Sequence, residues 1–383
     1  MDSVKIVHIS DLHISEHILR DPSQSFKLPH RYGHDVQAFL SLDNYLKNSE
    51  WDLLVITGDV TRIGNVESFE NVRNWLEGQL LLGGHQIGLK LNDIEDRDYV
   101  IIPGNHDRFN GKLTQGGLDN YHSQFNPIRS GSNKSFYFGK HRINVHLYDS
   151  TESNGSFAYG YLSPSDMVSK NLDENINIAL LHHHFIQPPE HAREAATELT
   201  NSADVSAYIL NSEFDGVFFG HTHQGYIGNP KIATLKSVLP DKRKKNRFWN
   251  RIAPKFLLRK MDGDCLVSYK RDKAKNGQLP TLESYFSYLY MRKNNVDVLG
   301  PNFFDNIKDF YAHIDSIAAR GEFESALQRL GDKNILISLA PSACQEEAEY
   351  KGFHEVIFTK EQSGKYTPTW RELRYNGNSF EQK

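Results

Sequence analysis

Short segments of histidine, aspartate and asparagine recur along the chain, each at or just beyond the end of an apolar run. Asp11-Leu12-His13 follows Val4 to Ser10, Gly58-Asp59 follows Leu53 to Thr57, and Gly104-Asn105-His106-Asp107 follows Tyr99 to Pro103. The triplet His182-His183-His184 follows Ile178 to Leu181, and Gly220-His221-Thr222-His223 follows Val217 to Phe219. Such short runs read as buried strands. Between the early ones, Val36 to Leu46 and Phe69 to Leu81 repeat apolar residues at three and four, the mark of helices with one face in a core. An alternating α/β chain gathers ligands outside the carboxyl ends of its strands. The sequence therefore predicts one sheet edge where all these polar segments meet.

The donor chemistry of that edge is specific. Asp11 and His13 are two apart, so an extended backbone puts both on one face. Asp59 ends a strongly apolar strand, where a lone carboxylate is costly to bury and a cation removes the cost. Gly104 permits the sharp turn that aims Asn105, His106 and Asp107 at one point, with Asn105 offering a neutral oxygen. His106 suits an acid or electrostatic donor, since imidazole titrates near neutrality. His221 and His223 reach neighbouring ions from one loop. The consecutive histidines cannot all face one ion, so one of the three is a ligand and the others meet phosphate or orient ligands. Imidazole with carboxylate suits Mn, Fe or Zn. Seven donors are enough for two divalent or mixed-valence metal ions sharing one carboxylate, which is a hydrolytic site for phosphoesters. His8, inside the first strand, reads as a packed, hydrogen-bonded histidine.

Beyond these segments, Ser135 to Tyr148 resembles a hairpin, and Ser163-Pro164 reads as an N-cap opening a short helix. After His223 the composition changes. Lys236 to Lys260 holds ten Lys or Arg residues against one Asp, and helical periodicity follows at Leu282 to Met291, Phe304 to Ile317 and Phe323 to Leu330. Strand signals return at Ile335 to Leu339 and Phe353 to Phe358. The expected layout is a catalytic domain over 1–232 and 334–383, interrupted by a basic, mostly helical insertion at 233–333. The basic run with Phe248 and Trp249 suits single-stranded nucleic acid or an anionic surface. A solvated cap or homo-oligomer arm is the preferred reading, because the whole chain carries a net charge of −4. Two cysteines, Cys265 and Cys344, fit a reducing compartment. Without a secretory pattern or an apolar run near ~18 residues, a cytoplasmic location with no transmembrane segment is expected.

The full set of segments resembles the calcineurin-like metallophosphoesterases, over roughly residues 4 to 229 and the closing strands. That resemblance implies a four-layer α/β/β/α sandwich and a metal-bound hydroxide attacking phosphorus in line. It implies that Asp11, His13 and His223 hold one metal, that Asn105, His221 and one triplet histidine hold the other, and that Asp59 bridges them. His106 is implied as the catalytic imidazole. The family spacing selects His183 from the triplet, with His182 as runner-up and a site for phosphate contact; Phe185 stands where the family usually has Pro. Arg62 stands where many members carry an Asp that orients the catalytic histidine. Asp107 could take that role, leaving Arg62, like His34, to bind substrate. Landmarks around Gly160-Tyr161-Leu162-Ser163 and Ala340-Pro341-Ser342-Ala343 resemble the phosphodiesterase-like branch. The implied activity is hydrolysis of a small-molecule phosphodiester. Phosphomonoesterase and nuclease are alternatives, and a metal-binding interaction protein with vestigial catalysis is the rival of a different class.

Overall fold

The computed structural model describes residues 3–15, 35–82, 84–91, 96–108, 117–125, 129–151, 160–168, 172, 174–187, 199, 202–212, 214–237, 327–345, 348 and 350–383. In chain order the elements are β1 (Ser3–Ile9), α1 (Val36–Asn48), β2 (Leu53–Thr57), α2 (Val66–Leu76), β3 (Leu80–Leu82), β4 (His85–Ile87), β5 (Asp98–Ile102), α3 (Asn105–Arg108) and α4 (Gly117–Gln124). Next come β6 (Ser132–Phe138), β7 (His141–Leu147), β8 (Ile176–Leu180), β9 (Ile186–Gln187), α5 (Ser202–Asn211), β10 (Gly216–Phe219), β11 (Tyr226–Gly228) and β12 (Lys236–Ser237). The chain closes with β13 (Leu336–Leu339), β14 (Gly352–Lys360), β15 (Tyr366–Tyr375) and β16 (Phe380–Gln382).

Two six-stranded sheets stack face to face, in the orders β16-β15-β14-β1-β2-β5 and β11-β13-β10-β8-β7-β6. Their facing side chains form one apolar layer. Val4, Ile6, Leu53 and Val55 of the first sheet meet Ile143, Val145, Ile178 and Phe218 of the second. The alternation of strand side chains sends Val7, Leu54 and Ile56 to the other face of the first sheet, where they pack under Phe39, Phe69, Val72 and Trp75 of α1 and α2. On the second sheet, Tyr148, just past β7, meets Tyr208 of α5 at 3.0 Å. The result is an α/β/β/α sandwich.

Local sequence sets the helix ends. Asp35 caps α1 by accepting from the amides of Gln37 and Ala38, and Asn65 caps α2 through the Ser68 amide. The helical spacing of Phe69 to Leu81 overruns the real helix. α2 stops at Leu76 because Gly78 takes a left-handed φ of 73° and returns its amide to the Trp75 carbonyl. Leu80–Leu82 then turns into a hairpin with His85–Ile87. Ser163 stands at the N-cap of a short helix that is a 3-10 turn, Pro164–Asp166, with Pro164 first; its hydroxyl makes no capping bond and meets Ser165 instead. His8 is the packed strand histidine expected, hydrogen-bonded to Ser338 and Thr57.

β13 lies between β10 and β11, and β14 beside β1. Most of the expected helical insertion, 238–326, lies outside the described residues, as does His34. No helix among the described residues is long and apolar enough to cross a membrane.

Candidate metal centre

Parallel pairing of β1 with β2, β2 with β5, and β8 with β10 points the carboxyl ends of all five strands the same way within their sheets. The loops leaving β1 and β2 stay zipped beyond the strands. The amides of Asp11, His13 and Ile14 donate to the carbonyls of Gly58, Asp59 and Val60 at 3.0, 3.0 and 2.9 Å. The loops leaving β8 and β10 do the same through Gly220 N and His182 O at 3.1 Å. The two sheets are joined at this edge by the His221 amide, which donates to Asp11 Oδ2 at 3.0 Å.

Sharp turns place the side chains. Asp11, His13, Asp59, His221 and His223 have φ of 54°, 51°, 49°, 74° and 58°; Lys90 is the one other described non-glycine residue with positive φ. Left-handed conformations cost L residues roughly 1–2 kcal/mol each, and such costs cluster where function requires a particular geometry. Gly58 is required as well: with φ of 90°, a Cβ there would stand 2.6 Å from His182 Nδ1.

Three groups of donors result, the ligand atoms within each lying inside 4.8 Å of one another: Asp11, His13 and His223; His13, Asp59 and His106; and Asp59, His182 and His221. Asp59 Oδ2 is common ground, 3.9 Å from His13 Nε2 and 3.5 Å from His182 Nε2. Asp59 Oδ1 accepts from the His106 amide at 2.7 Å. Asn105 Oδ1 lies 3.1 Å from His182 Nε2, and so does His221 Nδ1. Asp11 Oδ1 stands 3.2 Å from His223 Nε2.

The three consecutive histidines occupy different positions. His182 joins the group of Asp59 and His221, while the His183 ring lies tilted against that of His221 at 4.4 Å and bonds Ser150 through Nδ1 at 2.9 Å. His182 Nδ1 donates to the Thr57 carbonyl at 2.7 Å, which turns Nε2 toward the donors. His184 is buried and further from the cluster, its ring 6.4 Å from that of His221.

The electrostatics suit a cation. Burial opposes ionisation of Asp59, yet the surrounding His182, His106 and His13 hold its carboxyl well below the usual range. Burial likewise disfavours charge on His182, but Asp59 overrides it and raises His182 to about 9. His221 is pushed well below its ordinary value by burial and by the neighbouring imidazoles His183 and His182, so it presents a neutral ring. Asp11 Oδ1 and His221 Nε2 are buried atoms with no hydrogen-bond partner among the described residues. Buried polar atoms of that kind call for a ligand. Carboxylate oxygens, an amide oxygen and imidazole nitrogens together match a borderline divalent metal.

His106, like His223, is a half-buried member of the edge. Its ring meets His13 edge-on at 4.7 Å, and its Nδ1 donates to the backbone carbonyl of Arg62 at 2.9 Å. The orienting acceptor is therefore a main-chain oxygen, not the Asp107 carboxylate. Asp107 instead takes the amides of Gly104, Val60 and Thr61 and the Thr61 hydroxyl, pinning the β2 loop to the β5 loop. Burial and the charge of Asp59 push Asp107 up to about 7, against the pull of the Gly104 and Thr61 donors. The Arg62 side chain is partly exposed at this edge. Ser342 lies in the Ala340 to Ala343 landmark, but its bond to the Asp11 carbonyl and that of Tyr350 to the Gly225 amide have no sequence signal.

A mixed α/β sandwich with Asp and His groups at the carboxyl edge of both sheets defines a class of hydrolases. Residues 4–225 match the sequence model of the calcineurin-like phosphoesterases, and the chain belongs to that family. It is accordingly a phosphoesterase by kinship. No match was found among curated proteins.

Proposed function

We propose that the protein is a dinuclear metal-dependent phosphodiesterase of small molecules. The observation that carries this reading is the shared position of Asp59, whose Oδ2 faces His13 on one side and His182 on the other. In this assignment Asp11, His13 and His223 hold one cation, Asn105, His182 and His221 hold the second, and Asp59 serves both. His182 takes the place expected for His183, because its Nε2 converges with Asn105, His221 and Asp59 while His183 is turned to Ser150. Two divalent ions bound there would lower the pKa of a water and offset charge growing on phosphoryl oxygens. Mn, Fe and Zn all suit the donors.

His106 handles the proton. With Nδ1–H committed to the Arg62 carbonyl, Nε2 is the ring nitrogen that would serve the leaving group. An imidazolium there would donate from Nε2 to the departing alkoxide. Arg62, partly exposed at the same edge, would grip a phosphoryl oxygen through its forked donors. The diester preference rests on the phosphodiesterase-like landmarks at Gly160 to Ser163 and Ala340 to Ala343. Two cysteines in the chain, with Cys344 a buried free thiol, support a cytoplasmic setting.

The test is turnover under Mn of a panel of cyclic nucleotides, glycerophosphodiesters, aryl mono- and diesters, and single-stranded DNA and RNA. Small diesters are expected to be the best substrates. Faster hydrolysis of monoesters or of polynucleotides would replace the diester reading with its alternatives. His106→Ala should keep both metals and lose roughly 10² or more in turnover. Equal turnover in the metal-matched variant removes His106 from the mechanism.

A further inference from the structure

The family match ends at residue 225, yet the backbone of the first ligand group is held from outside it. The chain leaves β13 at Leu339 and runs a short turn across the metal-bearing edge. Ala340 N donates to Phe219 O at 2.9 Å and Ala343 N to Ser10 O at 3.0 Å, so the turn ties the end of β10 to the end of β1. The buried Ser342 hydroxyl donates to the Asp11 carbonyl at 2.7 Å. The turn is itself fastened to β14, where Gly352 N donates to Ser342 O at 3.1 Å. The hydroxyl of Tyr350 accepts from the Gly225 amide at 2.8 Å, two residues beyond His223. A Cβ on Gly225 would collide with that hydroxyl, so glycine here lets the loop come close enough to be held.

Tyr350 is fixed in turn. The Arg374 guanidinium lies over its ring at 3.8 Å, and Arg374 Nε donates to Glu372 Oε1 at 2.8 Å. Burial and the charge of Glu372 push the Tyr350 phenol up to about 12, so the hydroxyl keeps its proton for Glu372 and offers its lone pair to Gly225.

Asp11 and His223 are both in left-handed backbone conformations. A strained conformation persists only where its surroundings over-determine it. Ser342 and Tyr350 supply hydrogen bonds beside those two residues. We propose that Ser342 and Tyr350 are positioning residues for the Asp11, His13 and His223 group, setting its metal affinity from the C-terminal segment. This inference rests on the two-metal reading above. Groups that orient metal ligands typically alter affinity by about 10–100-fold when removed.

The experiment uses Tyr350→Phe in the full chain, which keeps the ring under Arg374 and deletes the hydroxyl. Mn binding is measured by calorimetry on metal-free protein, and exchange of the Gly225 amide by NMR. Tyr350→Phe should weaken one of the two metal equivalents about 10-fold or more, leave the other unchanged, and speed Gly225 exchange before any metal is added. The affinity effect should vanish in a His13→Ala background, and Ser342→Ala should act on the same equivalent. Tyr45→Phe is the control: its hydroxyl donates to Glu355 at 2.7 Å, and its loss should not move either metal. A Tyr350→Phe isotherm superimposed on wild type, an unchanged Gly225 exchange rate, or an equal effect of Tyr45→Phe overturns the proposal. Failure of the wild type to bind two metals sinks the two-metal reading instead, and the metal-free exchange rate then still decides whether Tyr350 holds the loop.

Discussion

At the residue scale, the site is built from side chains placed by unfavourable backbone. Five donor residues adopt positive φ, each at a cost of roughly 1–2 kcal/mol relative to a relaxed turn. A tight reversal at a strand end is what turns the next side chain back over the sheet edge. Glycine would make the turn cheaply and offer no ligand, so the chain keeps histidine and aspartate there and is less stable for it. His223, with φ of 58° and a side chain 26% exposed, separates the two effects. His223→Ala and His223→Gly both lose the imidazole and should weaken metal binding alike. In urea unfolding with chelator present, His223→Gly should be the more stable by about 1 kcal/mol, because glycine alone adopts that φ without strain. An alanine variant as stable as the glycine variant would mean that the backbone there is not strained.

At the scale of elements, the site depends on loops that are fastened to one another. Asp107 is the main fastening between the β2 and β5 exits, receiving three amides and one hydroxyl. Asp107→Asn keeps the shape but turns an NH2 toward donors, leaving buried groups unsatisfied at about 1–3 kcal/mol. The Asp59 and His106 segments should then part, so both the urea midpoint and Mn affinity should fall together. A variant with wild-type midpoint and affinity would show that the loops hold without this carboxylate.

The same fastenings explain what could be read beforehand. Asp11, Asp59, Asn105, His221 and His223 were legible because each follows an apolar strand, and strand ends are where a parallel sheet collects ligands. The family spacing selected His183 from the triplet, whereas His182 is the one grouped with Asp59 and His221; the Thr57 carbonyl that orients the His182 ring leaves no mark in the sequence. The acceptor that orients His106 is a backbone oxygen of Arg62, which leaves no side-chain signature. Ser342 contacts Asp11 from 331 residues away, beyond any local pattern. β15 was hidden too: Pro368, Arg371, Glu372 and Arg374 break the apolar alternation in a strand that is only partly buried.

At the scale of the molecule, the family-matched region shares both of its sheets with strands from outside it. β13 stands between β10 and β11, and β14 is the antiparallel neighbour of β1 along its length. Leu336, Val356 and Phe358 fill the layer between the sheets, and Phe353 packs under the helices. Ending the chain at residue 233 would strip partners from β1 and β10 and leave their backbone groups unpaired, while opening both apolar layers. The intervening segment is a different matter. Its two roots lie side by side: Ile232 N donates to Lys333 O at 2.9 Å, and Lys231 bridges Asn334. A short linker can therefore join residue 232 to residue 333. The 1–233 fragment should fail to fold cooperatively, with no sharp thermal transition and no tight Mn binding, although it contains every residue that the family model matches. The linker-joined chain should unfold cooperatively, close to the full chain, and bind two Mn ions. A soluble 1–233 fragment that binds metal and turns over substrate would show that β13 and β14 are dispensable and that the chain divides near residue 233 into independent units.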